Sequence, residues 1–470
     1  MNILQTIVAK KKEEILNMED VPAHILQKSN RDFLKAITAV SSEKRSAPRL
    51  IAEIKPASPV TGRILPERIP IGSLAAGFES FGASALSVLT DTEFFRGSYE
   101  NMRLAKASTA HVPILCKDFI LSAKQVRKAR AFGADSFLLI AKILSVSSLR
   151  MLLEEGRKYG MEAMVEIADK EDAKKVLQTD AKIIGINNRD LRDFSLHLSH
   201  TFLLSKLFPK NTVIVSLSGF SGADIRLVRG VAHAVLVGTN IGKQLQDYTV
   251  SWKEKLKTVF ARFTSPAPLI KLCGVRSVAD YEMAERYHVP LIGINCVSAS
   301  HRCISEQVVQ SLAAKKKKKA KIVGVFQNHS PEIIAHVCAH YGFDFAQLSG
   351  NENPADFSDF PVPIIKGISF DNRHQFLEER EKWQKNADIF LFDGKTPGAG
   401  EGWNTDEVQD IFSSLTKPFF IAGGVAPENA LSILKKTGAD GVDMASGVEN
   451  AEKNGWDEKK IRELRKLCKT

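Results

Sequence analysis

Short apolar runs recur along this chain, and most neighbouring runs are separated by a charged stretch with helical spacing. In the first half they lie near 50–54, 85–89, 112–116, 137–140, 163–167, 182–186, 213–217 and 234–237. In the second they lie near 269–272, 291–296, 321–326, 343–347, 362–366, 388–392, 418–422 and 440–443. The runs are continuous rather than alternating, which suits strands buried on both faces. Ala123 to Phe132 and Val146 to Lys158 have the character of the helices that join parallel strands. Eight strand-plus-helix units can close into a barrel, although the spacing also describes an open doubly wound sheet. Two halves of barrel size, each with eight candidate strands, favour an α/β fold of two fused (β/α)8 barrels.

The chain has 470 residues, long for one core. A joint is legible at Thr264-Ser-Pro-Ala-Pro-Leu-Ile-Lys-Leu-Cys-Gly-Val-Arg276. Pro266 and Pro268 deny the incoming chain a continuous helix. Leu269 to Leu272 then reads as a buried strand with Cys273 at its C-terminal lip. Arg49 to Lys55, running into Pro56, opens the first half in nearly the same way. The expected domains are 1–255 and 256–470, with a last helix of the first half at 250–262. Two amphipathic helices, 2–16 and 30–40, precede the first strand as an N-terminal extension. Ser29 or Asn30 is the expected cap of the second, and Lys10 to Glu14 reads as helix surface. Gly-Ala-Asp at 133–135 and 438–440 marks ordinary helix-to-strand turns.

At 44% hydrophobic and 25% charged, the composition is globular. A net charge of +11 fits a nucleic-acid binder or an enzyme for anionic metabolites. The basic residues are scattered apart from Lys315 to Lys319, without aromatic platforms around that run. It reads as a solvated helix end, and no nucleic-acid partner is expected. The six cysteines form no CxxC pair, so neither a zinc site nor a disulfide framework is expected. A reducing cytoplasm, a monomer and no membrane span are the corresponding expectations.

Strand C-termini form the active face of a barrel. In the first half that rule collects Glu53, Lys55, Lys117, Asp118, Glu166, Asn187 and Arg189. A pocket lysine can bind an anion or act as an acid. Glu166 lies in an apolar run, where a carboxylate is costly unless used. Structural ion pairs at the barrel end would employ the same residue types. Glycines close the last two strands of each half, at Ser216–Gly219 and Val237–Thr239, then Ala422–Val425 and Ser446–Val448. There, backbone N–H groups can reach a phosphate. Gly398 to Gly402 resembles a dinucleotide turn, but Pro397 and its late position mark it as a loop. In the second half, Cys273 and Asp393 each end a strand and would make a proton-transfer pair, although a lone buried cysteine also serves as packing.

These residues carry a resemblance. Ile51-Ala-Glu-Ile-Lys-Pro-Ala-Ser-Pro59, Leu89-Thr-Asp91 with Phe95 and Gly97, Leu115-Cys-Lys-Asp-Phe119 with Gln125, Val165-Glu-Ile167 and Gly185-Ile-Asn-Asn-Arg-Asp-Leu191 resemble indole-3-glycerol-phosphate synthase. Lys271-Leu-Cys-Gly274, Ser300-His-Arg302, Leu391-Phe-Asp393, Ala422-Gly-Gly-Val425 and Gly441 to Glu449 resemble phosphoribosylanthranilate isomerase. The order is that of the bifunctional tryptophan-biosynthesis enzymes of many bacteria. The resemblance implies TIM barrels, no cofactor or metal, and anionic phosphosugar substrates. It assigns Lys117 as general acid, Glu166 as base, and Lys55 to the substrate carboxylate. Glu53 and Asn187 belong around the reacting centre, and Ser58 and Arg189 with the substrate-binding residues. Ser218, Gly219, Gly238 and Thr239 would hold the phosphate. In the second half it assigns Cys273 as base, Asp393 as acid and Arg302 to the anthranilate carboxylate. Gly423, Gly424, Ser446 and Gly447 would hold the phosphate there. The chain departs from the families at Leu217, where glutamate is usual, at Ala168 and Ser349, where histidine is usual, and around 395–402. Two other readings therefore stand beside the bifunctional one: a mainly monofunctional isomerase with an impaired first half, and a phosphate-binding scaffold without catalysis.

Overall fold

The computed structural model describes residues 3–38, 47–189, 196–246, 251–315, 320–370, 372–394, 409–464 and 467. The expected strands form, and each half closes into its own parallel eight-stranded barrel. Barrel one contains β1 (Arg49–Ile54), β4 (Ala85–Leu89), β5 (Ile114–Lys117), β6 (Ser136–Ile140), β7 (Met164–Ile167), β8 (Ile183–Asn187), β9 (Val213–Leu217) and β10 (Ala234–Val237). It closes where β1 pairs with both β4 and β10. A small antiparallel hairpin, β2 (Ala57–Ser58) with β3 (Gly62–Arg63), follows β1 and was not expected. Barrel two contains β11 (Leu269–Cys273), β12 (Leu291–Asn295), β13 (Lys321–Phe326), β14 (Phe345–Leu348), β15 (Ile364–Ser369), β16 (Ile389–Asp393), β17 (Phe419–Ala422) and β18 (Gly441–Met444). Here β11 closes on β18.

The strands of barrel one beyond β1 are buried on both faces almost throughout, as continuous apolar runs require. Several strands extend one residue past the apolar run. The added residues are Lys117, Asn187, Cys273 and Asp393, polar or reactive groups at the mouth whose backbones stay in the parallel ladder.

The N-terminal extension holds a helix at Ile3–Leu16 and another at Phe33–Thr38. Two expectations are corrected there. Asp32 caps the second helix, accepting from the Lys35 N–H at 2.9 Å. Ser29 instead donates to Asp135 and to the Arg31 carbonyl. Lys11 is not helix surface but 3% exposed. Its ammonium meets Glu14 at 2.9 Å, Asp91 at 3.0 Å and Asp118 at 3.1 Å. A buried ammonium requires such partners.

By contacts, one compact unit comprises Ala47–Ser221 and Val231–Ser265 with the N-terminal helices, and the other Gly222–Gly230 with the chain from Pro266. Helix Trp252–Thr264 runs across the expected division at 255. It is capped by Ser251 and packs Phe260 on Phe78 at 5.1 Å between ring centroids.

Candidate active sites

Barrel one opens into a cavity of about 440 Å³. Its walls include Glu53, Lys55, Ser58, Lys117, Glu166, Asn187 and Arg189. Ser218, Gly219, Gly238 and Thr239 line the same cavity, so the candidate residues of this half converge from β1, β5, β7, β8, β9 and β10. Asp118 does not join them. It turns to Lys11 and to the Thr90 hydroxyl at 2.7 Å. Ile3, Leu4 and Ile7 of the first helix, Val60 of the hairpin and Lys243 also face the cavity, none of them anticipated. Apolar residues of an amphipathic helix look like ordinary core seam, so the sequence carried no signal of that role.

Within the cavity, Lys117 donates to Glu166 Oε2 at 3.1 Å and Asn187 Nδ2 to Glu166 Oε1 at 3.0 Å. Both oxygens of Glu166 thereby accept from donors, one on the adjacent β8 and one on β5, two strands away. Burial works against the Lys117 ammonium, but Glu166 and Glu53 outweigh it and its pKa lies above the usual lysine value. Lys55 pairs with Glu53 Oε1 at 2.6 Å. A side chain at Gly238 would strike the Glu53 carboxylate, so the glycine leaves room for it. Burial lowers the pKa of Arg189, which at neutral pH still leaves a cation.

The turn after β9 needs two consecutive residues with left-handed backbone, Ser218 at φ 68° and Gly219 at φ 91°. Asn188 stabilises it by donating to the carbonyls of Leu217 at 3.0 Å and Ser218 at 3.2 Å. Leu217 ends β9 opposite Asn187 and lines the cavity at 2% exposure. An apolar wall therefore stands where the family resemblance implies a carboxylate.

In barrel two, Cys273 is the last residue of β11 and Asp393 the last of β16. The Asp393 carboxylate lies against Gly423, whose φ of 80° and missing Cβ permit the approach. Its Oδ1 accepts no hydrogen bond. Burial, then the charge of Asp443, raise the Asp393 pKa to about 6. Burial also pushes the Cys273 thiol upward, while Lys271 opposes that rise. Beneath both, Lys271 donates to Asp443 Oδ2 at 2.9 Å. Neither residue was singled out in the sequence, where Lys271 sits inside an apolar run and Asp443 inside a stretch assigned to phosphate.

Arg302 is held by Glu449 on two of its nitrogens, Nε at 2.8 Å and Nη2 at 3.2 Å. Arg276 reaches the same carboxylate at 3.4 Å. Two guanidiniums on one carboxylate leave a positive surplus, suited to an arriving carboxylate. Gly423 and Gly424 have φ of 80° and 65°, and Ser446–Val448 forms a single 3-10 turn after β18. Gly447 passes against the Val425 carbonyl, bringing the two glycine turns together. Ser349 accepts from Gln347 at 3.0 Å. The stretches Lys316–Lys319 and Gly398–Gly402 lie outside the described residues.

Residues 4–254 match the family indole-3-glycerol phosphate synthase. Residues 270–466 match the family N-(5'phosphoribosyl)anthranilate (PRA) isomerase. A "Multifunctional tryptophan biosynthesis protein" of Phycomyces blakesleeanus is 29% identical over 98% of this chain, which spans 68% of that protein. "Tryptophan biosynthesis protein TrpCF" of Buchnera aphidicola subsp. Acyrthosiphon pisum is 27% identical over 94% of this chain and 91% of its own length. Among solved structures, phosphoribosyl anthranilate isomerase from Thermus thermophilus is 26% identical over 42% of this chain and 97% of its own, with a TM-score of 0.38. The chain belongs to the indole-3-glycerol phosphate synthase family over its first half and to the phosphoribosylanthranilate isomerase family over its second.

Proposed function

We propose that the two barrels perform two consecutive steps of tryptophan biosynthesis. The chain is a bifunctional enzyme, with the synthase first and the isomerase second. Barrel two converts N-(5-phosphoribosyl)anthranilate into 1-(2-carboxyphenylamino)-1-deoxyribulose 5-phosphate. Asp393 protonates the ribose ring oxygen and the ring opens. Cys273 as thiolate takes the C2 proton of the iminium, and the enol relaxes to the aminoketone. Arg302 receives the anthranilate carboxylate, and Gly423, Gly424, Ser446 and Gly447 receive the phosphate.

Barrel one cyclises that aminoketone. Lys117 protonates the C2 carbonyl oxygen as the aromatic carbon attacks, Glu166 serves the later proton transfers, and carbon dioxide and water leave. Lys55 grips the carboxylate, with Glu53, Asn187, Ser58 and Arg189 around the reacting carbons. Ser218, Gly219, Gly238 and Thr239 take the phosphate. The observation that carries this reading is the Lys117–Glu166–Asn187 chain inside a cavity that also holds the glycine turns. Purified full-length protein given each substrate separately should turn over both. Failure with either removes that half of the assignment.

The buried Leu217 favours a second reading, in which barrel one works slowly and the isomerase dominates. Steady-state turnover of the aminoketone that is well below isomerase turnover, yet above that of Lys117→Ala, would establish it. We also read the chain as a cytoplasmic monomer whose two activities divide at the proline joint, 1–255 from 256–470. Sedimentation and separate expression of the fragments test those points.

A further inference from the structure

Lys271 and Asp443 form a buried ion pair that the assignment above leaves unused. Lys271 is completely buried and Asp443 is 7% exposed. Replacing a buried pair by packed apolar groups is often neutral or stabilising, so its presence asks for a reason other than stability. Its location supplies one. Lys271 lies two residues before Cys273 on β11, and alternation puts both on the same face. A Cβ built on Gly293 would lie 2.9 Å from Cys273 Sγ and 3.2 Å from Lys271 Nζ, so thiol and ammonium share one pocket. The ammonium acts electrostatically on the thiol. Asp443 takes the same ammonium on Oδ2, while its Oδ1 is buried without a hydrogen-bond partner. Asp443 also acts electrostatically on Asp393.

Resting on the isomerase reading of barrel two, we propose that Lys271 and Asp443 are a charge bridge that readies the two reacting residues in opposite states. The ammonium favours thiolate on Cys273, and the carboxylate favours the protonated acid on Asp393. Neither bridge residue touches the reacting atoms in this assignment, so both are positioning residues. The groups that face Cys273 are Lys271 on its own strand, Asp443 on β18 and Arg302 from the segment after β12. Asp443 and Lys271 are also the charged side chains that act electrostatically on Asp393.

The bridge makes a signed prediction. Removing the cation in Lys271→Met should raise both proton affinities, and removing the anion in Asp443→Asn should lower both. Each shift should be about one unit or more, the usual effect of an adjacent charge. The test uses the full chain. The Cys273 midpoint is read as thiolate ultraviolet absorbance against pH, with the Cys273→Ser protein subtracted. The two limbs of the isomerase pH profile are read in parallel, and synthase turnover should stay at the wild-type level. Opposite displacements in the two variants are the expected result. Asp443→Asn is isosteric and keeps the test open if Lys271→Met does not fold. Unmoved midpoints, or displacements of one sign in both variants, would overturn the bridge. If Cys273→Ala keeps full isomerase turnover, the functional reading fails instead, and the thiolate titration still decides whether the bridge exists.

Discussion

The two mouths handle buried charge differently. In barrel one each candidate carboxylate has a lysine of its own, Glu53 with Lys55 and Glu166 with Lys117. In barrel two Asp393 pairs with no lysine among the described residues, and the Lys271 ammonium near Cys273 is already held by Asp443 beneath them. Direct pairing gives each carboxylate a counter-charge of its own inside the site. An unpaired buried carboxyl keeps its proton to higher pH, as an acid requires. One fold thus supplies either kind of group by where it puts the counter-charge.

Crossed substitution should separate the two mouths most sharply. Lys117→Ala should lower synthase kcat, and Cys273→Ala isomerase kcat, by about 10²–10⁴-fold, the usual worth of a positioned acid or base. Each should leave the other activity near wild type. Losses in both activities from either variant would show that the sites are not independent.

Asp393→Asn should cost the isomerase about 10²-fold or more, and it carries a pH signature. The acid must be protonated and the thiolate deprotonated. With Asp393 near 6 and Cys273 above its ordinary value, isomerase kcat/KM should rise with pH to about 6 and then level. It should fall only once the thiol has ionised. The break near 6 should vanish in Asp393→Asn, and a wild-type profile with no break there would dissociate the acid from this residue.

Lys11→Met sharpens the contrast from outside the mouth. Breaking a buried ion pair by removing one partner costs about 3–5 kcal/mol. Urea denaturation should show barrel one destabilised, and synthase KM should rise because Ile3, Leu4 and Ile7 line its cavity. Isomerase kinetics should not change. Leu217→Glu should have the smallest effect, a rise in synthase kcat of up to about tenfold as a supporting carboxylate returns beside the lysines. An unchanged rate and pH profile would mean that the site has adapted to the leucine.

The barrels were legible because strands buried on both faces leave continuous apolar runs, while the strand bounds erred by a residue or two at many starts and most at β15, expected at 362–366 and found at Ile364–Ser369. Apolar patterning stops one residue short at Lys117, Asn187 and Asp393, although their backbones complete the ladder. The synthase candidates were legible through motif spacing. Lys11 was not, because a lysine among lysines and glutamates on a helix carries no mark of the face it turns inward. Lys271 and Asp443 were hidden for a related reason. A charge inside a strand declares itself only when its partner is known, and this partner lies 172 residues away.

That separation problem has a counterpart in the timing of synthesis. The helix bearing Lys11 emerges from the ribosome before its counter-charges, since two of its three carboxylates, Asp91 and Asp118, are made only when β4 and β5 have been translated. Until then its ammonium has only Glu14, in the same helix, and the apolar face destined for the cavity has no surface to cover. This helix must therefore wait in water for the barrel it will roof. During that interval, a delay in elongation before residue 118 would expose it to chaperones and proteases.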